Sequence, residues 1–160
     1  GGARIGLVHG DAVSLAGWGF AHDRLDDASH RRWIESVFLA AKVDVFASSH
    51  TCLPALRRFE AGGREVAVAN NGATGMPNFE AHHAGIVTRI STRPSPVAPL
   101  YGLEVAGVRV EAVAVDYDPE SFRRRFEATW PAGSPAHESY FRRIVSGPSF
   151  GPGRAAPPAP

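Results

Sequence analysis

Apolar and polar positions change their spacing several times along the chain, and each change marks an element. Arg4 to Val8 is a short apolar run that stops at His9-Gly10-Asp11, and it reads as a strand. A glycine-rich loop follows through Gly17-Trp18-Gly19, and Asp26 and Asp27 then offer helix N-caps. Trp33, Ile34, Val37, Phe38 and Ala41 recur at helical spacing, which predicts an amphipathic helix over residues 28–42. Val43-Asp44-Val45-Phe46-Ala47 is a β-branched and aromatic run, so it predicts a buried strand. Strand, helix and strand in this order make a crossover unit, with the two strands parallel neighbours.

Beyond this unit the period falls to two. Strands are expected at Arg64 to Asn70 and Gly85 to Ile90, separated by the loop Asn71-Gly72-Ala73-Thr74-Gly75-Met76-Pro77-Asn78. Tyr101–Val105 and Val108–Val115 flank Ala106-Gly107 as a hairpin. Asp118-Pro119 and Ser134-Pro135 each set a cap before a proline at the first helical position. Phe122, Phe126 and Trp130 form the apolar stripe of the first helix; Tyr140, Phe141, Ile144 and Val145 are expected to face inward from the second. From Gly147 onward Gly, Pro and Ala dominate, so residues 147–160 are expected to be a disordered tail behind a domain at 1–146.

Composition narrows the function classes. The formal net charge of +1 across 160 residues implies no acidic or basic partner, and the arginine runs read as wet helix faces. Nucleic-acid binding is therefore not expected. The single cysteine rules out an internal disulfide framework and fits a reducing, cytoplasmic setting. No apolar stretch approaches the roughly 20 residues needed to span a bilayer, so no membrane association is expected. The chain opens on Gly1-Gly2 and enters a strand at once, as though cut from something longer.

The chemistry concentrates where the first two strands end. His9 and His50 both follow strands, and parallel neighbours would deliver them to one sheet edge, where ligands of open α/β sheets bind. Cys52 stands two residues after His50 in Ser48-Ser49-His50-Thr51-Cys52-Leu53-Pro54. It has three readings: a buried small hydrophobe, as most free cysteines are, a nucleophile with His50 for a base, or a metal ligand. The glycines of the 71–78 loop permit unusual backbone angles, and its amides could face an anion or simply form a strand-exit turn. His82 and His83 read as surface residues, and His30 and His137 as helix-start residues without an evident partner.

The order of these motifs resembles the carboxyl half of calcineurin-like metallophosphoesterases. The matching segments are a strand followed by His9-Gly10, a strand followed by Ser49-His50-Thr51-Cys52-x-Pro54, and Asn71-Gly72-Ala73-x-Gly75-x-Pro77. The resemblance implies an α/β fold of the α+β sandwich type, a β-sandwich flanked by helices. It also implies phosphoester hydrolysis with two divalent ions (Mn, Fe or Zn), acting on a phosphate-ester small molecule or a phosphoprotein. His9 and His50 would ligate the second metal. Cys52 stands where the family has a histidine on the first metal, and Ser49 replaces a glycine. The family's amino-half motifs, including the histidine that protonates the leaving group, do not precede His9. The resemblance thus places no catalytic acid in this chain and implies little activity for it alone. Two other classes stay open: a non-catalytic scaffold of the same fold used for protein interaction, and a cysteine hydrolase.

Overall fold

The computed structural model describes residues 2–158; Gly1, and Ala159 and Pro160 of the expected tail, lie outside the described residues. Among the described residues the chain is a mixed α/β fold of two sheets and five helices. The first sheet has the order β1 (Ile5–Leu7), β2 (Val45–Ser48), β4 (Arg64–Asn71), β3 (Pro54–Ala61). β1, β2 and β4 run parallel, and β3 returns antiparallel beside β4. The second sheet is antiparallel, in the order β5 (Gly85–Ser91), β7 (Val108–Val115), β6 (Tyr101–Val105).

Strand alternation explains the layers. Val66 and Val68 of β4 face α2 (Arg31–Ala41) and join Ile34, Val37, Phe38 and Phe46 in one apolar cluster. The intervening Ala67 and Ala69 face the other way, into a second cluster with Val105, Val108 and Val110 of the second sheet. The result is helix on sheet on sheet, with β4 apolar on both faces. α2 ends at Lys42, which takes the left-handed conformation at φ 54° and returns the chain to β2. The expected crossover is present, preceded by a 3₁₀ turn at Ala28–His30 that Asp27 caps through the Ser29 amide.

Three expectations are corrected, and one strand, β3, is unexpected. β2 begins at Val45 because the Asp44 carboxylate turns away to accept from the Arg4 amide and the Arg64 guanidinium. β3 has no clean alternation in the sequence, because Arg57 points inward and is buried; the hairpin turns at Gly62-Gly63. α3 (Pro119–Thr129) buries no residue, and Trp130 at its end is exposed, so its aromatic stripe is not a core face. In α4 (Pro135–Ser146) Ile144 is buried, whereas Tyr140 and Val145 are exposed.

The segment expected to be disordered packs instead. α1 is the short helix His22–Asp26, and α5 is Pro152–Ala155. Phe150 and Ala155 are buried with Phe79, Ile86 and Ala112. The Arg57 guanidinium donates to the carbonyls of Arg154, Ala155 and Ala156, and its other edge pairs with Asp26 at 2.6 Å. One buried cation therefore straps the carboxyl-terminal segment to β3. Composition alone does not reveal such an anchor, because the anchoring residue lies about a hundred positions away.

Candidate metal centre

Register brings the two histidines together. Leu7 pairs with Ala47 in the parallel ladder, and the pairing continues past the strand ends through Val8 N–H to Ala47 O and Ser49 N–H to His9 O. His9 and His50 then emerge side by side. His9 Nε2 and His50 Nδ1 lie 3.2 Å apart, with ring centroids separated by 5.0 Å. That distance suits a single hydrogen bond between imidazoles. It also suits two ligands of one ion, since metal–nitrogen bonds of about 2.0–2.1 Å in tetrahedral geometry put two nitrogens about 3.3 Å apart.

Cys52 does not join them. Its backbone is left-handed at φ 58°, and its Sγ donates to the main-chain carbonyl of His50 at 3.4 Å, not to the imidazole. Among the described residues no group of three or more His, Cys, Asp or Glu side chains gathers in metal-binding geometry. The first sheet edge thus presents a pair of nitrogen donors with a thiol behind them.

Buried polar side chains, which the sequence does not flag, hold the loops around this pair. Asp11 is nearly buried, and its carboxylate accepts from the amides of Val13, Ser14 and Gly19. The chain folds so tightly round it that a Cβ on Gly17 would come within 1.9 Å of Asp11 Oδ2. Ser48 Oγ donates to the Gly10 carbonyl at 2.7 Å, tying the His9 loop to β2. Asn70, the next-to-last residue of β4, is 2% exposed and joins three loops at once. Its Nδ2 donates to Phe20 O and Thr51 Oγ1, and its Oδ1 accepts from Gly72 N–H. Gly72 itself sits at φ +71°, where a Cβ would strike Asn78 Oδ1 at 2.3 Å. Asn78 in turn accepts from the Ala73 amide and donates to Ala73 O and Met76 O. The 71–78 loop is thus closed on its own side chains, which favours the turn reading over the anion reading.

Arg143 of α4 completes the frame. It is half-buried, and its Nη2 donates to Cys52 O at 2.5 Å and to Pro77 O at 3.2 Å. Burial pulls its pKa below the ordinary arginine value. A helix distant in sequence therefore fixes both the His50 loop and the 71–78 loop.

The other histidines have structural partners. His30 stacks on Trp33 and its Nε2 meets Gly19 O at 3.1 Å; His137 stacks on Phe141. Both expectations of partnerless histidines are thereby corrected. His83 is exposed and bonds Val145 O, while His82 is partly buried against Phe79 with its Nδ1 unpaired, so only His83 is a plain surface residue. His22 lies against Phe150, and burial lowers its pKa. Trp18 sets its indole edge-on to the His50 ring at 5.7 Å.

No helix among the described residues is long and apolar enough to cross a membrane. No family model, no curated protein and no solved structure matches this chain.

Proposed function

We propose that this chain is the carboxyl-half portion of a metal-dependent phosphoester hydrolase of calcineurin-like type, in which His9 and His50 hold one divalent ion. The observation that carries the reading is the 3.2 Å approach of His9 Nε2 to His50 Nδ1 at the carboxyl edge of parallel strands. The two imidazoles suit Zn, Fe and Mn, and their separation suits two ligands on one centre, while among the described residues no third His, Cys, Asp or Glu joins them. A pair of divalent ions supplies a hydroxide nucleophile at neutral pH and neutralises phosphate oxygens during in-line attack.

The chain's own residues have defined tasks in this reading. His9 and His50 orient one ion. Ser48 and Asn70 keep their loops in register with β2 and β4. Arg143 holds the carbonyl of Cys52, whose thiol donates to the His50 carbonyl. Two nitrogen donors make a weak site, so further ligands, a bridging carboxylate and the leaving-group acid come from outside these residues. Cys52 in the position of a third ligand favours a second reading, a scaffold of this fold that binds a protein and does no chemistry.

The test is hydrolysis of 4-nitrophenyl phosphate with Mn²⁺, Fe²⁺ or Zn²⁺. By itself the chain turns over little substrate. Joined to a segment carrying the missing ligands, it gains activity that chelation and His50→Ala both remove. Activity indifferent to chelation, and removed by thiol alkylation, points to Cys52 chemistry and overturns the proposal. Metal-dependent activity that survives His50→Ala overturns it equally.

A further inference from the structure

The arginines at least partly withdrawn from solvent are Arg57, Arg89, Arg109, Arg123 and Arg143. All but the last pair with a carboxylate: Asp26, Glu111, Glu104 and Glu127 respectively. The contrast with Arg57 is sharpest, because both side chains strap loops by donating to main-chain carbonyls. Arg57 does so with Asp26 on its other edge. Arg143 reaches Cys52 O and Pro77 O and, among the described residues, no carboxylate. Carbonyls satisfy N–H groups without cancelling a charge, and burial makes the charge of Arg143 costly. Its Nη1 makes no hydrogen bond among the described residues.

The negative end of α4 does not account for this cation. Basic residues suit a helix carboxyl terminus because its last carbonyls lack partners. Here other groups take them: Gly147 N–H bonds Arg143 O, His83 Nε2 meets Val145 O, and Ala81 N–H bonds Ser146 O. Arg143 instead lines a cavity of about 350 Å³ together with Glu138, Ser139, Arg142 and Ser149. Among the described residues Arg142 makes no ion pair, although Glu138 stands one turn earlier on the same helix. The Ser139 and Ser149 hydroxyls are likewise without hydrogen bonds among the described residues. The turn that carries Ser149 is packed tightly, since a Cβ on Gly147 would come within 2.1 Å of Phe79 O.

We propose that this cavity is an anion site, apart from the histidine pair, and that it takes the phosphate of a small hydroxylated phosphomonoester. Arg142, Arg143 and the two free hydroxyls suit the double charge and three terminal oxygens of a phosphomonoester better than the single charge of a carboxylate. Glu138 is the acceptor-only group among them. It opposes a bare anion and suits a ligand with hydroxyls beside its phosphate. Ligand cavities run from roughly 300 to 1,000 Å³, so this one fits a body of a few carbons. The same guanidinium holds Cys52 O, and an occupant therefore bears on the loop that carries His50.

The test is calorimetry of the full chain at low salt with glycerol 3-phosphate and with glycerate, its carboxylate counterpart. The titration runs in EDTA, so it does not depend on the metal reading. Glycerol 3-phosphate binds about tenfold more tightly than glycerate, and binding moves the NMR signals of Cys52. Arg142→Ala changes an exposed side chain and leaves the fold intact; it weakens glycerol 3-phosphate about tenfold, as for one charge-assisted hydrogen bond. Glu138→Gln tightens it. His50→Ala leaves the affinity unchanged, because the cavity does not use the histidines. No binding, equal affinity for glycerate, or binding indifferent to Arg142→Ala overturns the proposal. An affinity that His50→Ala removes overturns it as well, since the anion then sits at the histidine pair.

Discussion

The layer of α2 on the first sheet and the loops at that sheet's carboxyl edge are held together by opposite means. Under α2, Phe38, Ile34 and Val66 pack with no polar partner required. Such burial is non-directional and worth about 25 cal/mol per Å² of apolar surface. At the sheet edge, Asp11 and Asn78 satisfy main-chain groups of their own loops, and Asn70 and Arg143 those of loops distant in sequence. Apolar packing tolerates small shifts. A hydrogen-bonded knot does not, and that rigidity is what a pair of ligating nitrogens needs.

The largest expected effect breaks the first region. Phe38→Ala removes a fully buried ring and lowers stability by about 4 kcal/mol. Denaturant unfolding reads the loss, and the His9 and His50 ring signals in NMR stay in place while the protein remains folded. Asn70→Ala attacks the second region. It strands Phe20 O, the Thr51 hydroxyl and Gly72 N–H and costs about 3 kcal/mol. Here the histidine signals move, because two of the three loops it joins flank them. If both variants shift those signals alike, the contrast between the regions fails.

Arg143→Ala is milder for stability and sharper for the site. Freed from Arg143, the Cys52 and Pro77 carbonyls no longer fix the His50 loop, and affinity for Co²⁺ falls about tenfold, as for loss of an outer-shell partner. An unchanged affinity would leave Arg143 with only a packing role.

The smallest effect concerns the carboxyl-terminal strap. The hydrogen bond from Arg57 holds the Asp26 pKa below the usual carboxylate range, so this contribution is present above that range and is lost as pH falls through the depressed value. Burial lowers the His22 pKa, so its neutral form is favoured when packed on Phe150, and stability declines once pH falls below about 6.5. Acid therefore loosens the strap in two steps, first at His22 and then at Asp26. Protection of the Arg154 and Ala156 amides, relative to intrinsic exchange at each pH, should fall in that order, and flat protection between pH 7 and 3 would contradict it.

The same division decides how much was legible in the sequence. Val45, Phe46 and the α2 stripe announce themselves by period, and the parallel pair that places His9 beside His50 follows from strand, helix and strand. β3 is hidden because an inward arginine interrupts its alternation. Asn70 resembles an ordinary strand-end residue until distant backbone arrives to bond it, and Asp11 an ordinary loop residue until its own loop closes on its carboxylate. Phe150 lies in a stretch rich in Gly and Pro, and nothing local shows that Arg57 will anchor it. Cys52, the expected third ligand, turns its sulfur to a carbonyl because its backbone is left-handed, a conformation no spacing rule conveys.

The central claim is that His9 and His50 share an ion, and calorimetric titration of the full chain with Co²⁺ tests it most directly. The account predicts one weakly bound ion, lost in His9→Ala and in His50→Ala and retained in Cys52→Ser. Binding that persists unchanged in both histidine variants would contradict it.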